Sequence, residues 1–481
     1  VDGYKVGHRQ QYPADTEEVY SNLTARKGRD GSFDGVVFFG LQYFCIEYLE
    51  RQFNAWFARS EGAVMAEYER RIGGYLGKDA MTYEHIRALH RHGSLPVLIK
   101  AVPEGAYVPY GVPMLTIRNT RPEFFWVTNM LETVMSAVLW KACTSATNAR
   151  AYRQAFERYS RDTVGDTNPF VPWQGHDFSF RGMSGVEDAC VSGAAHLLSF
   201  TGSDTVPAID FLEEYYGADS DRELIGGSVP ATEHSVMCMG MEEGERETFR
   251  RLITEVVPKG VVSIVSDTWD YWKVVTEILP SLREEILARD GKVVIRPDSG
   301  VPEHIINGDP NATAGSPQRK GTIRLLDEIF GHTLTPRGYK VLDSHIGLIY
   351  GEQIHRERQE KILAGLKANG YASDSVVLGI GSYNYQYVTR DTHGFAIKAT
   401  FGRTTSRGDV AIHKDPKTDD GTKKSAKGLL RVDRVDGKLT LRQGVTREEE
   451  SGGALEPVFE DGYLLRRQTL ADIRARVEAE L

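Results

Sequence analysis

The chain has 481 residues, enough for two or three compact units or one large domain with a satellite. Hydrophobic residues at 41% and charged residues at 26% are ordinary globular levels and exclude wholesale disorder. Sixty-seven acids against 58 bases give a net charge of −9, which excludes a global nucleic-acid coat but leaves room for a local basic patch. Cys45, Cys143, Cys190 and Cys238 are far apart and form no CxxC pair. Reduced thiols are expected rather than a disulfide scaffold or zinc ribbon. No signal peptide pattern opens the chain, so a cytoplasmic location is expected.

Residues 17–120 read as strand-rich, with runs such as Val36-Val37-Phe38-Phe39 and Val97-Leu98-Ile99 and helical patterns near 42–75. Residues 122–162 read as two long helices. Within them the apolar stretch Phe124–Trp140 contains Asn129 and Glu132, which predicts a buried helix rather than a membrane span. The middle of the chain then changes rhythm. Short apolar runs at 197–200, 261–265, 293–295, 346–350 and 376–378 each end in a polar turn. Helical patterns at 268–289, 321–330 and 352–368 alternate with them. This βαβα order predicts a parallel sheet of barrel type, with its site at the carboxyl ends of the strands. Residues 303–320 and 413–428 read as loops. In the tail, Asp436-Gly437 and Asp461-Gly462 signal hairpins, and a terminal helix follows Thr469 with Asp472 at the capping-box position.

The chain has no Walker A, GxSxG, HExxH or strand-to-helix GxGxxG motif. Chemistry-bearing groups instead gather at the strand ends. In Arg296-Pro297-Asp298-Ser299-Gly300 a guanidinium can grip phosphate, and a carboxylate two residues on can accept ribose hydroxyls or hold Mg²⁺ through water. An Arg–Asp pair that merely closes a turn is the alternative. Ser263, Asp267 and Asp270 form a similar group, with helix capping as the alternative. His234 sits among small residues, and Glu233 beside it could support an imidazolium. Lysines 414, 417, 423, 424 and 427 read, from spacing alone, as a solvated loop.

Five segments in order resemble the nicotinamide phosphoribosyltransferase family of type II phosphoribosyltransferases. They are 176–182 (HDFSFRG), 202–206 (GSDTV), 228–235 (SVPATEHS), 265–267 (VSD) and 295–300 (IRPDSG), and the resemblance runs nearly end to end. It implies an α/β fold: an irregular parallel α/β barrel over 166–397, connecting helices over 121–165, and a second α+β domain rich in antiparallel strands built from 1–120 and 398–481. It further implies a homodimer with shared active sites that makes nicotinamide mononucleotide and diphosphate from nicotinamide and phosphoribosyl diphosphate. Mg²⁺ is the implied cofactor, and ATP is the co-substrate acting through a phosphohistidine. By the same resemblance Phe178 is one wall of a slot for the pyridine ring, and Tyr4, supplied across the dimer, is the other. Asp204 accepts the carboxamide N–H. Arg181 and Arg296 bind the ribosyl phosphate and ring substituents, Asp298 accepts ribose hydroxyls, and Ser263 and Asp267 line the ring and ribose. Arg26, Arg390, Lys398, Lys414 and Lys423 surround the diphosphate and ATP phosphates, which reverses the solvated-loop reading. His234 is the phosphorylated residue.

Two departures from the family pattern stand out. Gly351-Glu352 replaces Gly-Asp, and Gly381-Ser382-Tyr383 replaces a glycine run, so backbone donation to phosphate rests on Gly381 and Ser382 with Tyr383 crowding the pocket. The nearest rival is nicotinate phosphoribosyltransferase, and an anionic Asp204 argues against it by repelling a carboxylate ligand. A Schiff-base lyase would need a lysine in a barrel strand, and only the exposed-looking Lys292 stands near one.

Overall fold

The computed structural model describes residues 1–29, 31–413 and 425–481, which form two compact units. The first comprises 1–147, 211–218 and 388–480. The second comprises 148–210 and 219–387, with Leu481.

The first unit is built on a seven-stranded antiparallel sheet that interleaves both ends of the chain. Its order is Gly408–Ala411, Phe395–Thr404, Thr16–Ala25, Pro113–Asn119, Val97–Ala101, Glu456–Glu460, Tyr463–Leu464. Val97, Ile99, Leu115, Ile117, Leu23 and Phe459 are buried in its core. Both expected hairpins form. Asp436 and Gly437 have φ of 49° and 79°, and Asp461 and Gly462 have φ of 49° and 97°. Positive φ at both central residues matches the right-handed twist of the paired strands. Lys100 and Glu450 form a buried ion pair at 3.1 Å. The terminal helix Leu470–Ala479 carries its capping box, Thr469 Oγ1 accepting from the Asp472 amide, and buries Leu470, Ile473 and Val477.

The second unit holds a parallel sheet in the order Gly175–Asp177, Val377–Ile380, Ile346–Tyr350, Val293–Arg296, Val262–Val265. Its two edges are joined by isolated parallel bridges. Ser263 pairs with Ala231, Gly227 with Gly202, and Ser203 with Asp177. The sheet therefore closes on itself through 202–203 and 227–231, an irregular barrel with one sparsely bonded wall. Ile264, Val293, Ile295, Leu348, Leu378 and Ile380 are buried in the core around it.

Three expectations are corrected. Residues 122–162 are not two helices, because Val127–Thr163 is one helix of 37 residues. No Gly or Pro interrupts it, and the hydroxyls of Thr144 and Thr147 bond back to the carbonyls of Trp140 and Cys143 instead of breaking it. The run 197–200 is not a strand; it ends the helix Val186–His196 in turns. A four-residue apolar run fits either state, and its side chains are buried in both. Residues 303–320 are not loop throughout. Pro302–Asn307 and Pro317–Lys320 are short helices, each starting with the proline that suits a first helical turn.

Among the described residues no helix is long and apolar enough to cross a membrane.

Candidate active site

The carboxyl ends of the barrel strands surround a cavity of about 950 Å³, lined by Phe178, Arg181, Asp204, Glu233, Arg296, Asp298, Gly351, Glu352, Gly381, Ser382 and Tyr383 among others. A second cavity of about 400 Å³, more apolar, shares Phe178, Asp204, Ala231 and Arg296 with it and adds His176, Ser228 and Ser263. The expected residues Phe178, Arg181, Asp204, Arg296, Asp298, Gly351, Glu352, Gly381 and Ser382 are thus brought together around the first cavity, and Ser263 around the second.

Arg296 and Asp298 end one strand. The Arg296 guanidinium donates to the Thr232 carbonyl at 2.9 Å, which ties it to the sparsely bonded wall, and its Nε stands 3.6 Å from Asp298. Burial pushes the Asp298 carboxyl above the usual carboxylate range. Asp267 and Glu352 add to that, and the nearby Arg296 and His234 oppose it. Two glycines make the close approach of these strand ends feasible. A Cβ on Gly351 would lie 2.7 Å from Asp298 Oδ1. One on Gly379 would lie 2.7 Å from the Phe178 ring and 2.8 Å from the Gly351 backbone.

Asp204 faces both cavities. Its Oδ1 accepts from His176 Nε2 at 2.8 Å and from the Ser228 hydroxyl at 2.6 Å. Burial opposes its ionisation, yet the hydrogen bonds from His176 and Ser228 and the charge of Arg296 outweigh it and hold the carboxyl below the usual range. Asp177, fully buried beneath, accepts from the Ser179 amide at 2.9 Å and the Thr205 hydroxyl at 2.7 Å. One buried carboxylate therefore fixes both the turn after Phe178 and the turn holding Asp204.

Asp267 does not line the first cavity. Its Oδ2 accepts from the amides of Asp298 and Ser299 at 3.0 and 2.8 Å, and its Oδ1 meets His234 Nε2 at 3.1 Å. It organises the 298–299 turn and orients the imidazole. The partner expected for His234, Glu233, is instead hydrogen-bonded by Ser235. His234 is about half exposed, beside the lining residues Glu233 and Val236. Asp270 caps the next helix by accepting from the amides of Trp272 and Lys273, the plain alternative for that residue. Tyr383, expected to crowd the pocket, lines it and stacks on Tyr387 at 4.9 Å. Lys292, expected to be exposed, lines the second cavity, and burial lowers its ammonium below the usual range.

Tyr4, Arg26, Arg390 and Lys398 belong to the first unit. Tyr4 is exposed, with its ring 5.5 Å from His8. Arg26 donates to the Gly394 carbonyl and Arg390 pairs with Asp391, while Lys398 is exposed on its strand. Lys414 and Lys423 lie outside the described residues.

Sequence reasoning missed His176, Ser228 and Asp177 as site residues. A signal for His176 was present, because it stands two residues before Phe178 in extended chain, the spacing that puts side chains on one side, and their rings lie 4.6 Å apart.

Residues 173–462 match the nicotinate phosphoribosyltransferase (NAPRTase) family, and residues 1–98 match the N-terminal domain of nicotinamide phosphoribosyltransferase. The chain is 51% identical over its full length to a nicotinamide phosphoribosyltransferase of Acinetobacter baylyi, 97% of which is covered. It is 34% identical, over its full length and 97% of the relative, to a protein of that name from Xanthomonas campestris. Among solved structures, nicotinate-nucleotide pyrophosphorylase from Pyrococcus furiosus aligns over 99% of this chain and 92% of its own with a TM-score of 0.57 at 13% identity. Human nicotinic acid phosphoribosyltransferase aligns over 100% and 93% with a TM-score of 0.54 at 16% identity, so both share the fold. A barrel with Phe178, Asp204, Arg296 and Asp298 at its strand ends, and relatives this similar along the whole chain, make the protein a member of the nicotinate phosphoribosyltransferase family, on its nicotinamide phosphoribosyltransferase branch.

Proposed function

We propose that the protein transfers a phosphoribosyl group from phosphoribosyl diphosphate to nicotinamide, yielding nicotinamide mononucleotide and diphosphate for NAD salvage. The observation that carries this reading is the ionised Asp204 beside Phe178. Its charge welcomes a carboxamide N–H and repels the carboxylate of nicotinate. The pyridine nitrogen is already a nucleophile, so the reaction needs no general base to create one. The demanding parts are an oxocarbenium-like ribose and a departing diphosphate, and both call for positioning and charge. Phe178 stacks the pyridine, and Asp298 accepts ribose hydroxyls. Arg181 and Arg296 hold phosphate, with amide donors from Gly381 and Ser382.

Mg²⁺ fits as an ion carried by the diphosphate. Among the described residues no group of three or more His, Cys, Asp or Glu side chains converges to hold a metal alone. Asp298 and Glu352 both line the cavity and suit water-mediated contact with such an ion. Bound there, Mg²⁺ would neutralise developing charge on the leaving group.

His234 serves as the phosphohistidine that couples ATP. With Nε2 facing Asp267, the lone pair lies on Nδ1. A bond from Nδ1 to the γ-phosphorus of ATP would form as the bond to the bridging oxygen breaks and ADP leaves, and Asp267 would support the resulting cation. The enzyme works as a homodimer in which Tyr4 and basic residues of the first unit complete the partner's site.

Mixing the protein with phosphoribosyl diphosphate, Mg²⁺ and either pyridine tests the reading. Nicotinamide mononucleotide should form at the higher kcat/KM. A preference for nicotinate would overturn it.

A further inference from the structure

We propose that His176, together with Ser228, is the residue that makes Asp204 a reader of the pyridine substituent. Both are positioning residues, and the inference rests on the nicotinamide reading above. Asp204 sits on a turn in the sparsely bonded wall; its amide donates to the Asp177 carbonyl at 2.9 Å, which holds the backbone but does not aim the carboxylate. Its orientation comes from two donors that converge on one oxygen. His176 Nε2 and the Ser228 hydroxyl both reach Oδ1, at 2.8 and 2.6 Å. With Oδ1 doubly occupied, Oδ2 is the oxygen left to accept from a ligand.

The imidazole is itself held in place. A Cβ on Gly202 would lie 2.7 Å from His176 Nδ1, so only glycine leaves room for the ring there. The Phe178 ring packs against it at 4.6 Å. The same imidazole that aims Asp204 therefore also flanks the wall on which the pyridine stacks. Ring position and amide acceptor are set by one side chain, and this couples the two halves of substrate recognition.

Charge state follows from the same contacts. The groups facing Asp204 are His176, Ser228 and, at longer range, Arg296; His176 in turn is near the fully buried His196. Burial pulls the Asp204 carboxyl upward, and removing a donor leaves that pull less opposed. A protonated Asp204 could donate to a carboxylate, so its rejection of nicotinate would weaken as pH falls.

The test compares His176→Phe, His176→Gln and Ser228→Ala with wild type, using nicotinamide and nicotinate as competing pyridines. His176→Phe keeps a ring against Phe178 but has no donor. Its selectivity, the ratio of the two kcat/KM values, should fall about tenfold or more, about 1.4 kcal/mol. His176→Gln places an amide donor near the former Nε2 and should recover most of the ratio. Ser228→Ala, at an exposed position, should lower it about threefold, the scale of one weak hydrogen bond. KM for phosphoribosyl diphosphate should stay within about twofold in all three, since its ligands are untouched. In His176→Phe the ratio should begin to fall at a higher pH than in wild type as pH is lowered, because loss of the donor leaves burial less opposed at Asp204. Equal losses with both pyridines would mean that His176 only supports the fold. A ratio unchanged in both His176→Phe and Ser228→Ala would overturn the proposal. A wild type that prefers nicotinate would instead overturn the function on which it rests.

Discussion

At the scale of single residues, opposing charge effects are already sorted within one site. Asp204 is held ionised by donors, whereas Asp298 is pushed upward by burial and by its acidic neighbours. Asp204→Ser should therefore lower nicotinamide use and raise nicotinate use relatively, a change in the kcat/KM ratio well beyond about twofold. Competition assays with both pyridines read it directly. For Asp298 the sign runs the other way. Its carboxylate is the proposed acceptor for ribose hydroxyls, so kcat/KM for phosphoribosyl diphosphate should drop as pH falls through its raised pKa, and that acid limb should lie above the ordinary carboxylate range. Glu352→Gln removes one of the groups raising that pKa and should move the limb to lower pH, as a pH–rate profile will show. His234→Ala should lose ATP hydrolysis and the ATP-dependent gain while keeping ATP-independent turnover, because attack on ribose needs no proton removed. Labelled γ-phosphate should appear on wild type as an acid-labile adduct and be missing from the variant.

At the scale of elements, the strand ends act by proximity. Ala at 351 meets a carboxylate oxygen that can turn aside, whereas Ala at 379 meets the Phe178 ring and the backbone of the neighbouring strand. Gly379→Ala should therefore lose more activity than Gly351→Ala, while circular dichroism shows both folded. The elements also show what was legible in the sequence. Hairpins at Asp436-Gly437 and Asp461-Gly462 and the capping box at Thr469 were readable because a few adjacent residues dictate the backbone there. The run 197–200 was misread because burial, not local pattern, gives it its apolar character. That Asp267 also organises the 298–299 turn was not legible, since sequence says which residues are near a strand end but not which way a carboxylate turns. His176 and Ser228 escaped notice because their role exists only when residues 28 and 24 positions from Asp204 meet on one oxygen.

At the scale of the whole molecule, the parallel α/β alternation of the middle and the antiparallel tail were both visible as changes of rhythm along the chain. That the two ends interleave in one sheet was implied only by resemblance, because strand pairing across almost 400 residues leaves no local trace. Site sharing in a homodimer can be tested by complementation. An inactive Tyr4→Ala chain mixed with an inactive Phe178→Ala chain should regain activity in hybrid dimers, where one site keeps both walls. If subunit exchange is proven and no activity returns, the two residues do not serve a common site.

The barrel's uneven stitching bears on how such an enzyme can change. Of the groups proposed to handle the sugar and phosphate, Arg296 ends a strand laddered on both sides and Asp298 follows it by two residues. Asp204, Ser228 and His234 sit on or beside the wall joined only by single bridges. Mutations that alter which base is accepted, or whether a nucleotide is consumed alongside it, therefore fall on the wall with the fewest ladder pairs. Those that would disturb the proposed phosphoribosyl chemistry fall at the end of a strand laddered on both sides. A lineage built on this frame can exchange its choice of acceptor while inheriting its donor unchanged.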